Sequence, residues 1–160
     1  MEEVLDENRR LKADVDQRTA ELAIVNSVQQ ALAAGLSMQG IYDAVGDKIG
    51  ENFPNAAGMN IRVLIPLTGL IEFPYVVEQG QRLTVAPQPV GGIFSHVATT
   101  GTTLVVNERF EETTDALGAS TLPGTPSDEK SAVWVPLVWG GKVRGLVSLT
   151  DFQREHAFNE

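Results

Sequence analysis

A chain of 160 residues, 42% of them hydrophobic, is long enough for one globular domain plus an appendage, and its Val, Ile and Leu content excludes a disordered chain. Asp and Glu number 21 against 12 Lys and Arg, and the formal charge of −9 argues against a phosphate backbone, so no nucleic-acid partner is expected. There is no cysteine, which removes disulfides, thiolate metal sites, Cys nucleophiles and thioether-linked chromophores; no apolar run approaches the roughly 20 residues that span a bilayer, so no membrane partner and a cytoplasmic setting are expected.

From residue 2 the chain has no Pro and no Gly before Gly35, which predicts one long helix. With Asn8 at heptad position a, Val15, Leu22 and Gln29 continue the a series, and Val4, Leu11, Arg18, Val25 and Leu32 fall at d. This is a coiled-coil seam with polar interruptions, and a lone Asn at a favours a parallel two-stranded state. A parallel homodimer through residues 1–34 is expected; the alternative is an amphipathic helix lying on its own domain. The half before Leu22 is too charged for a core helix. The boundary with a second domain, residues 35–160, is placed at Gly35.

After Ser37, a plausible N-cap, Ile41, Ala44, Val45 and Ile49 follow helical spacing, and residues 52–54 end that helix. Strands follow. Residues 56–66 and 70–80 read as a hairpin around Leu67, Thr68 and Gly69, with even positions of the first strand facing odd positions of the second. Arg62 and Leu64 are then expected beside Ile71, Phe73 and Tyr75. Residues 90–100 predict a short helix ended by Gly101, and TTLVVN a short strand. Residues 108–130, rich in Thr, Asp, Gly, Ser and Pro, read as a long structureless loop.

The stretch SAVWVPLVWGGKVRGLVSL, residues 131–149, predicts two strands joined by the turn Gly140-Gly141, with Trp139 opposite Lys142. An unbroken register gives one wholly apolar face: Ala132, Trp134, Pro136, Val138, Val143, Gly145, Val147 and Leu149. The mixed face carries Ser131, Val133, Val135, Leu137, Arg144, Leu146, Ser148 and Thr150. Strands apolar on both sides are covered on both sides, by helices on the pure face and something partly polar on the other. Pro136 suggests an edge or bulge.

The order of elements and several local patterns resemble a GAF domain. VGGIFSHVATTGTTLVVNE is similar to that family's Gly-led helix followed by Thr-Gly and a Leu-Val-Val strand. SAVWVPLVWGGKVRGLVSL is similar to its final hairpin, EHAFNE to the start of its closing helix, and RTAELAIVNSVQQAL to linker helices of bacterial histidine kinases and nucleotide cyclases. The resemblance spans residues 22–160. It implies an α+β, three-layer fold: a central antiparallel sheet, with N- and C-terminal helices on one face and a small-molecule pocket on the other. The closing helix is cut short, so the chain looks like a piece of a longer signalling protein. The helix and loops of residues 94–130 would close the pocket.

The pocket expected on the mixed faces comprises Arg62, Phe73, Tyr75, Phe94, Asn107, Phe110, Ser131 and Ser148, with Arg62 suited to an anionic ligand group. No catalytic residue and no metal site is expected. His96 and His156 are the only histidines, His96 expected to point outward from its helix and His156 to be solvated, and Glu108, Glu111, Glu112 and Asp115 read as a solvated loop. Gly91-Gly92 either makes a turn or presents N–H groups to an anion. Family members that bind cyclic nucleotides carry an Asn-Lys-…-Phe-…-Asp-Glu signature. Here NERFEETTD supplies Asn107 and Phe110 but not the Lys or its spacing. Covalent tetrapyrrole binding and the methionine-sulfoxide reductase branch need Cys, so no covalently attached cofactor is expected. A sensory module is expected to bind a small-molecule effector and act on an output domain of the same chain through its dimeric helix. The alternatives are a ligand-free dimerisation and relay module, and an enzyme.

Overall fold

The structure, a computed structural model, describes residues 1–33, 37–119 and 128–158. The chain divides into two compact units, Met1–Asn52 and Phe53–Glu160. The expected boundary at residues 34 and 35 lies outside the described residues.

The first unit holds helices α1 (Glu2–Ala33) and α2 (Met38–Asn52). No described helix is long and apolar enough to cross a membrane. Where α1 first becomes half-buried, the stripe is Ala20, Ala23, Ile24, Ser27 and Val28, spaced by three and four residues along one helix face. The heptad seam lies elsewhere. Val4, Leu11, Val15, Leu22 and Val25 stay between 49% and 61% exposed, far more than core residues tolerate. At the start of α2 the Ser37 hydroxyl accepts the Gly40 N–H at 3.2 Å, the expected N-cap.

Among its described residues the second unit holds a seven-stranded sheet and two helices. Its strands are β1 (Gly58–Ile65), β2 (Leu70–Glu78), β3 (Gln81–Arg82), β4 (Gln88–Pro89), β5 (Leu104–Val106), β6 (Ser131–Trp139) and β7 (Lys142–Asp151). The order is β3-β2-β1-β7-β6-β5, with β4 also on β2, and every pairing is antiparallel. Helix α3 (Gly92–Thr100) ends at Gly101, a left-handed residue whose N–H bonds to the Val97 carbonyl. Helix α4 (Phe110–Ala116) occupies part of the segment expected to be structureless. Its Thr114 is buried, and its hydroxyl is satisfied by donating to the Phe110 carbonyl at 2.9 Å.

Both long hairpins carry one bulge, and each overturns the expected alternation. In β1–β2 the pairing runs Leu64↔Ile71 and Val63↔Glu72, then resumes at Ile61↔Tyr75. Arg62 therefore faces both Phe73 and Pro74, the extra residue, and proline has no ladder N–H to lose. Beyond it Val76 and Glu78, not Tyr75, share the face of Arg62. In β6–β7 the turn behaves as expected, with Gly140 and Gly141 both at positive φ and Trp139 opposite Lys142. The register then shifts between Leu137 and Val138, leaving Arg144 as the extra residue. No wholly apolar face exists in that pair: Ala132, Trp134 and Pro136 share their side with Leu146, Ser148 and Thr150.

Through Arg62↔Leu146 and Asn60↔Ser148 these residues join one sheet face. The main apolar cluster of the unit forms there: Ile93, Phe94 and Val97 of α3 pack against Ile71, Val106, Ala132, Trp134 and Leu146. Eight buried apolar side chains of this size contribute on the order of 10–20 kcal/mol of gross transfer free energy.

EHAFNE does not begin a helix over its described residues; 155–158 form a turn and irregular chain. The N–H groups a helix would use are taken from outside. That of His156 donates to the Asn107 carbonyl at 2.7 Å, and that of Ala157 to the Ser131 hydroxyl at 3.4 Å. Asn107 also grips Phe158, donating to its carbonyl at 2.7 Å and accepting its N–H at 3.3 Å.

Candidate functional site

A cavity of about 440 Å³ opens on the sheet face that carries Arg62. Its floor is Arg62, Ile71, Phe73 and Glu78 from β1 and β2, with Trp134 from β6. One wall is the run from Gln88 to Phe94, and the other is Phe110, Glu111, Thr114 and Asp115 of α4 with Gly118, Ala119 and Glu129. Phe110 reaches across to Trp134, ring centroids 6.0 Å apart and planes at 28°, so α4 is held on the sheet by aromatic contact. The two walls approach closely at Gly92, whose φ is +55°. A Cβ there would stand 3.0 Å from the Gly118 carbonyl oxygen, which favours the turn reading of Gly91-Gly92.

Four of the expected pocket residues, Arg62, Phe73, Phe94 and Phe110, are brought together around this cavity. The other four are not. Tyr75 is carried to the opposite sheet face by the Pro74 bulge, where the Arg82 guanidinium lies 4.1 Å from its ring centroid. Asn107 spends its amide on Phe158. Ser131, opposite Asp151, bonds to the Arg154 carbonyl at 2.7 Å. Ser148 lies on the cavity side of the sheet but is fully buried, with no partner for its hydroxyl among the described residues. Sequence reasoning missed Glu78 and Trp134 on the sheet, Glu129, and Glu111, Thr114 and Asp115, of which Glu111 and Asp115, expected in a solvated loop, stand on α4 and line the cavity. The signals for Glu78 and Trp134 were Pro74 inside a strand and Gly145 beside Arg144, both marks of a bulge.

The charges in this cavity are unevenly placed. The Arg62 guanidinium sits 5.5 Å from the Phe73 ring centroid, and its Nε donates to Asn60 Oδ1 at 3.0 Å. No carboxylate among the described residues lies within ion-pair distance of it. Burial lowers its pKa to about 10, so it remains charged at neutral pH. Glu78 is its counterpart. Burial first, then the Glu129 and Asp128 carboxylates, push its carboxyl up to about 7, and its buried Oε2 has no hydrogen-bond partner among the described residues. Glu129 is also pushed up, by burial and then by Asp128 and Glu111. Lining charge therefore amounts to one guanidinium against Glu78, Glu111, Asp115 and Glu129.

Elsewhere, His96 is half-buried in α3 and does not line the cavity. His156 pairs with Glu108 at 3.4 Å on the surface, and the Glu155 carboxylate stands with them, all three exposed.

The fold has solved counterparts. A GAF domain of a phosphoenolpyruvate-protein phosphotransferase from Acinetobacter is 12% identical, covers 87% of this chain and 80% of its own, and superposes with a TM-score of 0.61. The corresponding domain from Coxiella burnetii is 15% identical over 87% of this chain and 81% of its own, with a TM-score of 0.59. The free methionine-R-sulfoxide reductase of Neisseria meningitidis, solved in complex with its substrate, is 15% identical over 88% of this chain and 72% of its own, with a TM-score of 0.58. No family model and no curated protein matches the sequence. What is shared is the GAF-like α+β fold, which among these structures serves both domains of larger proteins and an enzyme.

Proposed function

We propose that this chain is the sensory, regulatory module of a signal-transduction protein. A small molecule binds in the cavity on the Arg62 face, and α1, paired in parallel with its copy, carries the bound state to an output domain of the same chain. The carrying observation is the cavity's polar inventory. A packing defect would be lined by apolar and satisfied groups, yet among the described residues this cavity holds a guanidinium without a carboxylate partner and a carboxylate oxygen without a donor. The exposed apolar seam of α1 supports the pairing.

Regulation is favoured over turnover by what the cavity offers. Thr114 is its one hydroxyl among the described lining residues, and its Oγ1 is bonded to the carbonyls of Phe110 and Glu111, so no base activates it. A ligand that prefers one arrangement of α4 and its neighbouring walls by about 1–3 kcal/mol is enough for a signal.

Native mass spectrometry of freshly purified protein tests this reading. A two-chain species with a discrete added mass is expected, and a hundredfold excess of that molecule over its Kd should stabilise the protein by about 2.7 kcal/mol. A bare dimer, unchanged by a metabolite library, would instead establish a ligand-free relay module.

A further inference from the structure

Resting on the sensing reading, we infer that the cavity takes an extended zwitterion: a small organic molecule with an ammonium group at one end and a carboxylate at the other, several bonds apart. The two unmet charges stand at different places along the same strands. Arg62 faces Phe73 and Pro74, and Glu78 lies four residues further along β2 on the same cavity floor. Their Cα atoms are thus about 13 Å apart at ~3.3 Å per residue, and both side chains stand off the same sheet face, so their charged ends are separated by a similar span.

Each pole has its own surroundings. Around Glu78 stand Glu129 and Asp128, with Glu111 next to Glu129, so this end repels anions and favours an ammonium. At the other end Arg62 is fixed by Asn60 Oδ1 through Nε alone, leaving its terminal nitrogens for a bidentate carboxylate. Between the poles the wall is aromatic and aliphatic, Phe73, Phe94, Phe110 and Trp134, which suits a methylene chain. A purely anionic ligand would leave the acidic end uncompensated, and a purely cationic one would leave Arg62 so. An α-amino acid carries both charges on one carbon and cannot span the two poles.

The probe is 6-aminohexanoate, titrated calorimetrically into the full chain at pH 8 beside hexylamine, hexanoate and glycine. It should bind at least tenfold more tightly than each of the three. R62Q should erase its advantage over hexylamine, and E78Q its advantage over hexanoate. Neither variant should lose the folded circular dichroism signal; R62K, which keeps the charge, should retain part of the first advantage if R62Q proves unstable. Equal or tighter binding of hexylamine, hexanoate or glycine overturns the proposal while leaving the sensing reading intact. No binding by any of the four also overturns it, and the sensing reading then stands or falls on the retained mass in the native spectrum.

Discussion

Replacing Glu78 by Gln should stabilise the protein, and only at high pH. Its carboxyl is pushed from 4.5 up to about 7 by burial and by Glu129 and Asp128. A raised folded-state value means that the folded protein holds this proton more tightly than the unfolded chain does. The stability so gained is fully present below about 4.5 and is lost as the pH rises through 7. The full displacement corresponds to roughly 3 kcal/mol. Glu78 is only half-buried, however, and solvent screening reduces the effect to about 1–2 kcal/mol. The amide keeps the shape and removes the charge. Thermal unfolding followed by circular dichroism should therefore show E78Q melting about 3–6 °C above the native protein at pH 8.5, and level with it at pH 4.5. The groups flanking it, Arg62, Glu111, Asp115, Asp128 and Glu129, are the same residues in both proteins. A difference independent of pH, or an E78Q that melts lower at pH 8.5, would refute the reasoning, since Glu78 would then be meeting a cation.

The same titration governs binding: affinity for 6-aminohexanoate should rise between pH 6 and pH 8 as Glu78 ionises, and calorimetry at the two values checks it. N107A should cost about 1–2 kcal/mol and expose the amides of His156 and Phe158 to hydrogen exchange, because its side chain makes two bonds to Phe158. G145A should cost about 2–3 kcal/mol in urea unfolding, since its Cβ would lie 2.5 Å from the Arg62 carbonyl oxygen, a backbone atom that cannot swing away. Asn8→Leu should raise the stability of the assembly and admit species larger than a dimer in sedimentation analysis; an unchanged mass and melting temperature would remove the seam.

How much of this was legible before any coordinates depends on what kind of information each feature carries. Turns and caps are local. Ser37 capping α2, Gly101 closing α3 and Gly140-Gly141 turning β6 into β7 each follow from one or two residues with a single physical role, and each stands where it was read. The GAF-like order of elements was legible for the same reason, as a series of such local marks. Helix α4 was not. Its sequence FEETTDA has no apolar period, and what holds it is Phe110 on Trp134 and a buried Thr114, both tertiary facts.

The candidate site was half legible because a strand's face is a parity, and parity is carried along the chain until something breaks it. From the Leu67–Gly69 turn, alternation gives Ile71 and Phe73 correctly, and one extra residue at Pro74 then inverts everything beyond it. Tyr75 leaves the cavity and Glu78 joins it. Past Gly140-Gly141 the extra residue is Arg144, and the same inversion puts Trp134 on the cavity face and Ser131 off it. Both bulges leave a composition trace, a Pro inside one strand and a Gly whose neighbour's backbone comes within 2.5 Å of any side chain in the other. Both also have a consequence for function. An unbroken β2 would have presented Tyr75 and Val77 on the cavity face, where this chain presents Val76 and the carboxylate of Glu78. The bulge at Pro74 thereby turns a cavity with one cationic pole into a cavity with two opposed ones.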